Sequence, residues 1–129
     1  MQKALPHLRK QKGSGIVLIG SVEGYDLSPY VGQYAISKLA LVGLTKILSK
    51  ELLKYDIRVN NVAPGFVPTL LNYDLKKNME EKNILQRMRI KRVGTPEDMG
   101  NAVTFLLSEQ ASYITGETLA VAGKPIPRL

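Results

Sequence analysis

No cysteine occurs in these 129 residues, which excludes disulfide staples and thiol nucleophiles while leaving the cellular compartment open. Histidine appears once, as His7, in a charged neighbourhood near the start where a surface position is expected, and no metal site is expected anywhere. Aromatic residues make up 6% of the chain, too few to suggest a stacking platform for nucleic acid bases. The net charge of +7 comes from basic residues scattered among acids, so it reads as a solvated surface. A nucleic-acid binder would instead show strongly salt-dependent association. No apolar run approaches the length of a bilayer span, and the opening MQKALPHLRKQKG lacks the apolar segment of a signal peptide. A soluble protein is expected, with apolar content sufficient for one core.

What is present is organised around Tyr34 to Lys54, YAISKLALVGLTKILSKELLK, a long helical pattern. Tyr34 and Lys38 stand four apart, which puts them on one face of a helix. An ammonium beside a phenol favours the phenolate, and the positive dipole end of the first helical turn acts in the same sense. Such a phenol can give a proton to, or take one from, an alcohol or carbonyl oxygen. The spacing alone occurs in many long helices, but here the residues that follow are apolar nearly all round the cylinder. That predicts a helix buried on more than one side, with Tyr34 and Lys38 partly desolvated at its entrance.

Met1 to Lys12 reads as the end of a helix, with its basic cluster before Gly13 as the last turn. Gly15 to Ser21, GIVLIGS, is a continuous apolar run between turn residues and predicts a strand of a parallel sheet. Ser21 then lies at the carboxyl end, the edge where open α/β sheets bind ligands. Val22 to Gly32 reads as a loop. Ile57 to Ala63, IRVNNVA, is a second strand with a polar interruption at Asn60 and Asn61, so strand, helix and strand form a right-handed crossover unit. Pro64 to Thr69 is a rigid turn suited to a polar ligand or to no more than a change of direction. Leu70 to Arg92 is charged and weakly helical, read as one or two short mobile helices over a site. Thr95-Pro96-Glu97-Asp98 is a strong helix start leading a helix to Ser108, and Thr118 to Ala122 is a third short strand.

Taken together, Ser21, then Tyr34-Ala35-Ile36-Ser37-Lys38 thirteen residues later, Asn60-Asn61-Val62-Ala63-Pro64-Gly65, Thr69, and Tyr113-Ile114-Thr115-Gly116-Glu117-Thr118 resemble the C-terminal half of the short-chain dehydrogenase/reductase family. In DIRVN, SYITGET and the final Arg-Leu the chain is most similar to a group of peroxisomal or mitochondrial NADPH-dependent carbonyl reductases. The resemblance implies an α/β fold, half of a doubly wound Rossmann-type sheet with about three parallel strands and flanking helices, over residues 1–129 as one partial domain. It implies an oxidoreductase that moves a hydride between NADP(H), or NAD(H), and a carbonyl or secondary alcohol. Tyr34 would be the proton donor to the carbonyl oxygen. Lys38 would stabilise the phenolate and bind the nicotinamide ribose, and Ser21 would donate to the substrate oxygen. Pro64, Gly65 and Val67 would line the nicotinamide, with Thr69 facing the phosphates. A homodimer or homotetramer is implied for the intact enzyme.

The pattern also departs from the family. No G-x-x-x-G-x-G precedes Ser21, so the pyrophosphate-binding turn, the residue choosing NAD or NADP, and the family's catalytic Asn would all lie before Met1. Gly-Lys at 123–124 replaces the usual Gly-Gly. The final Pro-Arg-Leu resembles a Ser-Arg-Leu peroxisomal address with proline in place of the small residue, leaving cytoplasmic, peroxisomal and mitochondrial locations open. Without the preceding half, the Gly15 to Ser21 strand is expected to have an open edge and the chain to be deficient in activity. The competing expectation is a non-catalytic interaction protein that oligomerises through the long helix.

Overall fold

The computed structural model describes residues 3–69 and 81–126. Its sheet has three parallel strands, β1 (Gly15–Ile19), β2 (Arg58–Pro64) and β3 (Thr118–Val121), in the order β1-β2-β3. Gly15 pairs with Arg58 and Ile19 with Val62, while Asn61 to Pro64 pair with Thr118 to Val121. Six of the seven residues of β2 are buried, as a central strand covered on both faces requires.

The helices are α1 (Leu5–Leu8), α2 (Glu23–Asp26), α3 (Gly32–Leu52), α4 (Glu81–Met88) and α5 (Pro96–Leu107). α3 packs on one face of the sheet, where Leu48 and Leu52 meet Ile57 and Val59 in the core, with Ile16, Leu5, Leu8 and Tyr55 around them. Burial of each such aliphatic side chain is worth about 1.5–3 kcal/mol. Alternation along β2 then sends Arg58, Asn60 and Val62 to the opposite face. There the Arg58 guanidinium donates to the Leu106 carbonyl at 2.7 Å and to those of Leu107 and Ser108 at 3.4 and 3.3 Å, at the end of α5.

The expected elements are present with shifted ends, and three readings change. The stretch Val22 to Gly32 is more than a loop, for it holds α2 and a 3-10 turn at Pro29–Val31. The start of the chain forms only four helical residues. The long helix is covered on one side only: Ile36 is 67% and Ile47 63% exposed, and Leu44 is also exposed. An all-round apolar sequence sets no direction of burial, and among the described residues the cover comes mainly from β2 and α2. Residues 70–80 of the expected cover and the C-terminal Pro-Arg-Leu lie outside the described residues, and within the rest of that cover α4 is helical as expected. Among the described residues no helix is long and apolar enough to cross a membrane.

Candidate active site

The candidate residues lie at and beyond the carboxyl ends of β1 and β2 and on α3. β1 stops at Ile19, but pairing continues through the Gly20 N–H to the Val62 carbonyl at 2.7 Å and the Val22 N–H to the Pro64 carbonyl at 3.0 Å. This continuation brings Ser21 beside the Pro64 turn, both being buried or half-buried. The Ser21 hydroxyl accepts the Glu23 N–H at 3.2 Å in the first turn of α2, so one lone pair is occupied and its proton remains available as a donor. α2 is laid closely on α3: a Cβ on Gly24 would come within 3.0 Å of the Leu39 nitrogen and the Lys38 carbonyl carbon. A glycine allows that approach without displacing the helix backbone, and the contact sets the Ser21 turn against the helix that carries Tyr34 and Lys38.

Lys38 reaches from α3 to the end of β1, where its ammonium donates to the Ile19 carbonyl at 3.1 Å. The same ammonium stands 5.5 Å from the centre of the Tyr34 ring, close enough for a cation–π attraction. Tyr34 is more exposed than the helical pattern suggested, at 36%, in keeping with the one-sided cover of α3. Ser21 and Lys38 are thus joined through the β1 terminus and the Gly24 contact, and Lys38 and Tyr34 share a helix face. No direct hydrogen bond links these three side chains among the described residues.

The second group lies along the turn after β2. The Gly65 N–H donates to the Val121 carbonyl at 2.9 Å, and a Cβ on Gly65 would fall 2.7 Å from the Ala122 Cα. Val67 is buried against Gly94, whose N–H donates to the Phe66 carbonyl at 2.9 Å. Thr69 is exposed at the end of this segment. A cleft of about 230 Å³ lies beside the turn, between Phe66, Arg92, Met99 and Gly123. Sequence reading missed Gly24 and Arg58. The S-x-x-G spacing from Ser21 was the available sign of Gly24, but a charged residue in a strand gives no sign of carbonyls about fifty positions away.

The model of the family described as enoyl-(acyl carrier protein) reductase matches residues 1–123, and the curated relatives include dehydrogenase/reductase SDR family member 4 of Oryctolagus cuniculus, 45% identical over 131 residues. The chain belongs to the short-chain dehydrogenase/reductase family. The match takes in 100% of this chain and 50% of that relative's length. Tropinone reductase-like 3 of Erythroxylum coca is 49% identical over 135 residues, covering 100% of this chain and 49% of that protein. Among solved short-chain dehydrogenase/reductase structures, a 7α-hydroxysteroid dehydrogenase complexed with NADH and 7-oxo glycochenodeoxycholic acid superposes with a TM-score of 0.83 at 34% identity, over 99% of this chain and 50% of that one. The chain spans about half the length of the curated relatives it matches. The three-stranded parallel sheet with its flanking helices is the corresponding part of their Rossmann-type fold.

Proposed function

We propose that this chain is one partial domain, the catalytic and substrate half of an NAD(P)(H)-dependent oxidoreductase for carbonyl or secondary alcohol substrates. The observation that carries the reading is the Lys38 ammonium, held 3.1 Å from the Ile19 carbonyl at the end of β1 beside the Tyr34 ring. The residues present fit one end of a nicotinamide dinucleotide. An ammonium has three donors, of which Ile19 takes one, so Lys38 retains donors for a ribose diol, and Pro64, Gly65 and Val67 form a rigid turn at the neighbouring strand end. NADP(H) is favoured by the resemblance to the carbonyl reductase group, with NAD(H) the alternative. Bound there, the cofactor supplies or accepts the hydride.

The chain's own residues manage the proton and the developing charge. Tyr34 gives its phenolic proton to the carbonyl oxygen in reduction and takes it back in oxidation. Lys38 stabilises the phenolate left behind. Ser21, its lone pair occupied by the Glu23 N–H, presents its own proton to the same oxygen and steadies the alkoxide. Thr69, at the exposed end of the turn, is assigned to the phosphates.

A second reading rests on the exposed apolar stripe Ile36, Leu44 and Ile47 of α3, which suits a protein that oligomerises without catalysis. One experiment separates the two. The purified chain is titrated with NADPH and, separately, NADH in the presence of a dicarbonyl substrate, while its mass in solution is followed. Turnover that falls about 10²- to 10⁴-fold in Tyr34→Phe supports the oxidoreductase. Oligomers that bind neither cofactor support the interaction protein, whereas slow turnover alone is what the oxidoreductase reading expects of half the relatives' length.

A further inference from the structure

The carboxyl edge of the sheet is continuous from the Ser21 turn to the end of β3. The Val22 N–H donates to the Pro64 carbonyl at 3.0 Å, and the Gly65 N–H to the Val121 carbonyl at 2.9 Å. Ala122 packs on Gly65. Lys124 follows two residues later, at the position where the resemblance leads one to expect a second glycine. Its ammonium stands 3.7 Å from Asp26 Oδ2 at the end of α2. A side chain rooted beyond β3 thus reaches back to the element that begins two residues after Ser21, and it brings a cation to the rim of the candidate site.

We propose that Lys124 is a specificity-determining residue, which receives the carboxylate of a keto acid or hydroxy acid substrate. The inference rests on the oxidoreductase reading for the chemistry beside it. Two features favour a substrate carboxylate over a fixed structural pair. At 3.7 Å the contact with Asp26 is longer than a charge-assisted hydrogen bond, which closes to about 2.7–2.9 Å, and pairs open to solvent hold weakly. An ammonium also has three donors, and Asp26 is its only charged partner among the described residues. A carboxylate arriving with its carbonyl at Tyr34 and Ser21 competes with Asp26 for that ammonium. Asp26 keeps the cation at the rim between turnovers.

Reduction of 4-oxopentanoate and of its methyl ester by the 129-residue chain with NADPH tests it, since the two differ in charge at one end alone. The ratio of their kcat/KM values, acid over ester, is expected to fall about tenfold in Lys124→Ala, through KM rather than kcat, and to be kept in Lys124→Arg. Asp26→Asn removes the competitor and should raise the ratio about two- to fivefold, whereas a merely structural tie would lower turnover of acid and ester alike in both variants. Should Lys124→Ala not fold, the opposite sign in Asp26→Asn decides. A chain that turns over neither compound is read by its amide resonances: the acid, and not the ester, then moves those of Lys124 and Asp26 in the parent and leaves them in place in Lys124→Ala. A ratio unchanged in Lys124→Ala, a loss shared by acid and ester or traced to weaker NADPH binding, a ratio that Asp26→Asn lowers, or resonances that the acid does not move overturns the proposal. Failure to bind NADPH and NADH sinks the oxidoreductase reading instead and is seen apart from these outcomes, because titration with the acid needs no cofactor.

Discussion

Among the described residues, Asp98 is a carboxylate whose ionisation is clearly altered by folding. The Arg92 guanidinium, 2.6 and 2.9 Å from its two oxygens, and the Thr95 N–H at 2.8 Å hold its carboxyl well below the usual carboxylate range. A depressed folded value contributes stability above the unfolded pKa of about 4, and that contribution is lost as pH falls towards the folded value. Urea unfolding of the parent and of Asp98→Asn should therefore differ at neutral pH and converge as the pH is taken below about 4. A constant difference across that range would assign the effect of the substitution to geometry rather than charge. The Thr95 hydroxyl completes a capping box by accepting the Asp98 N–H at 3.2 Å, and Thr95→Ala should cost about 1 kcal/mol in the same assay. Gly24 presents a steric case. Alanine there would drive a methyl group into the Lys38 and Leu39 backbone at 3.0 Å, and since a helix backbone cannot yield as a side chain does, a loss of about 1–3 kcal/mol is expected, measured as a lower urea midpoint with an unchanged slope.

Among the elements, β2 and α5 are tied together by the Arg58 side chain. Arg58 is buried, and its forked guanidinium reaches the carbonyls of Leu106, Leu107 and Ser108 that α5 leaves unsatisfied at its end. A lysine lacks the planar fork, so Arg58→Lys should leave part of this set without donors, lower stability by about 1.5–3 kcal/mol, and speed amide exchange in the last turn of α5. This connection shows which part of the fold was open to sequence reading. The apolar run Gly-Ile-Val-Leu-Ile and the Thr-Pro-Glu-Asp start carry local signals, periodicity and capping, that do not depend on distant residues. Asn60 was read as a polar interruption because its partners, the Ile114 carbonyl and the Glu117 N–H, lie over fifty positions away. The same holds for Arg58. Ser21, Tyr34 and Lys38 were legible as candidates because strand-end position and helical spacing are local properties, whereas the Lys38 bond to Ile19 and the Gly24 contact depend on how α2 and α3 settle on β1.

For the molecule as a whole, the exposed side of α3 is the largest departure from what its sequence suggested. Ile36, Ala40, Leu44 and Ile47 recur at helical spacing along one face and are exposed, an arrangement that favours association through apolar burial. The charge of +7 works against self-association at low salt and is screened as salt rises. The chain should therefore gain mass in solution as ionic strength increases, whereas contacts held by charge would weaken. Replacing Ile36 and Ile47 together by lysine should shift association to about tenfold higher concentration with little change in the melting temperature, because both side chains are already largely in water in the single chain. A double variant that melts earlier while keeping the parent's mass would place these residues in an internal contact, and one that keeps both would show that copies do not meet through this stripe.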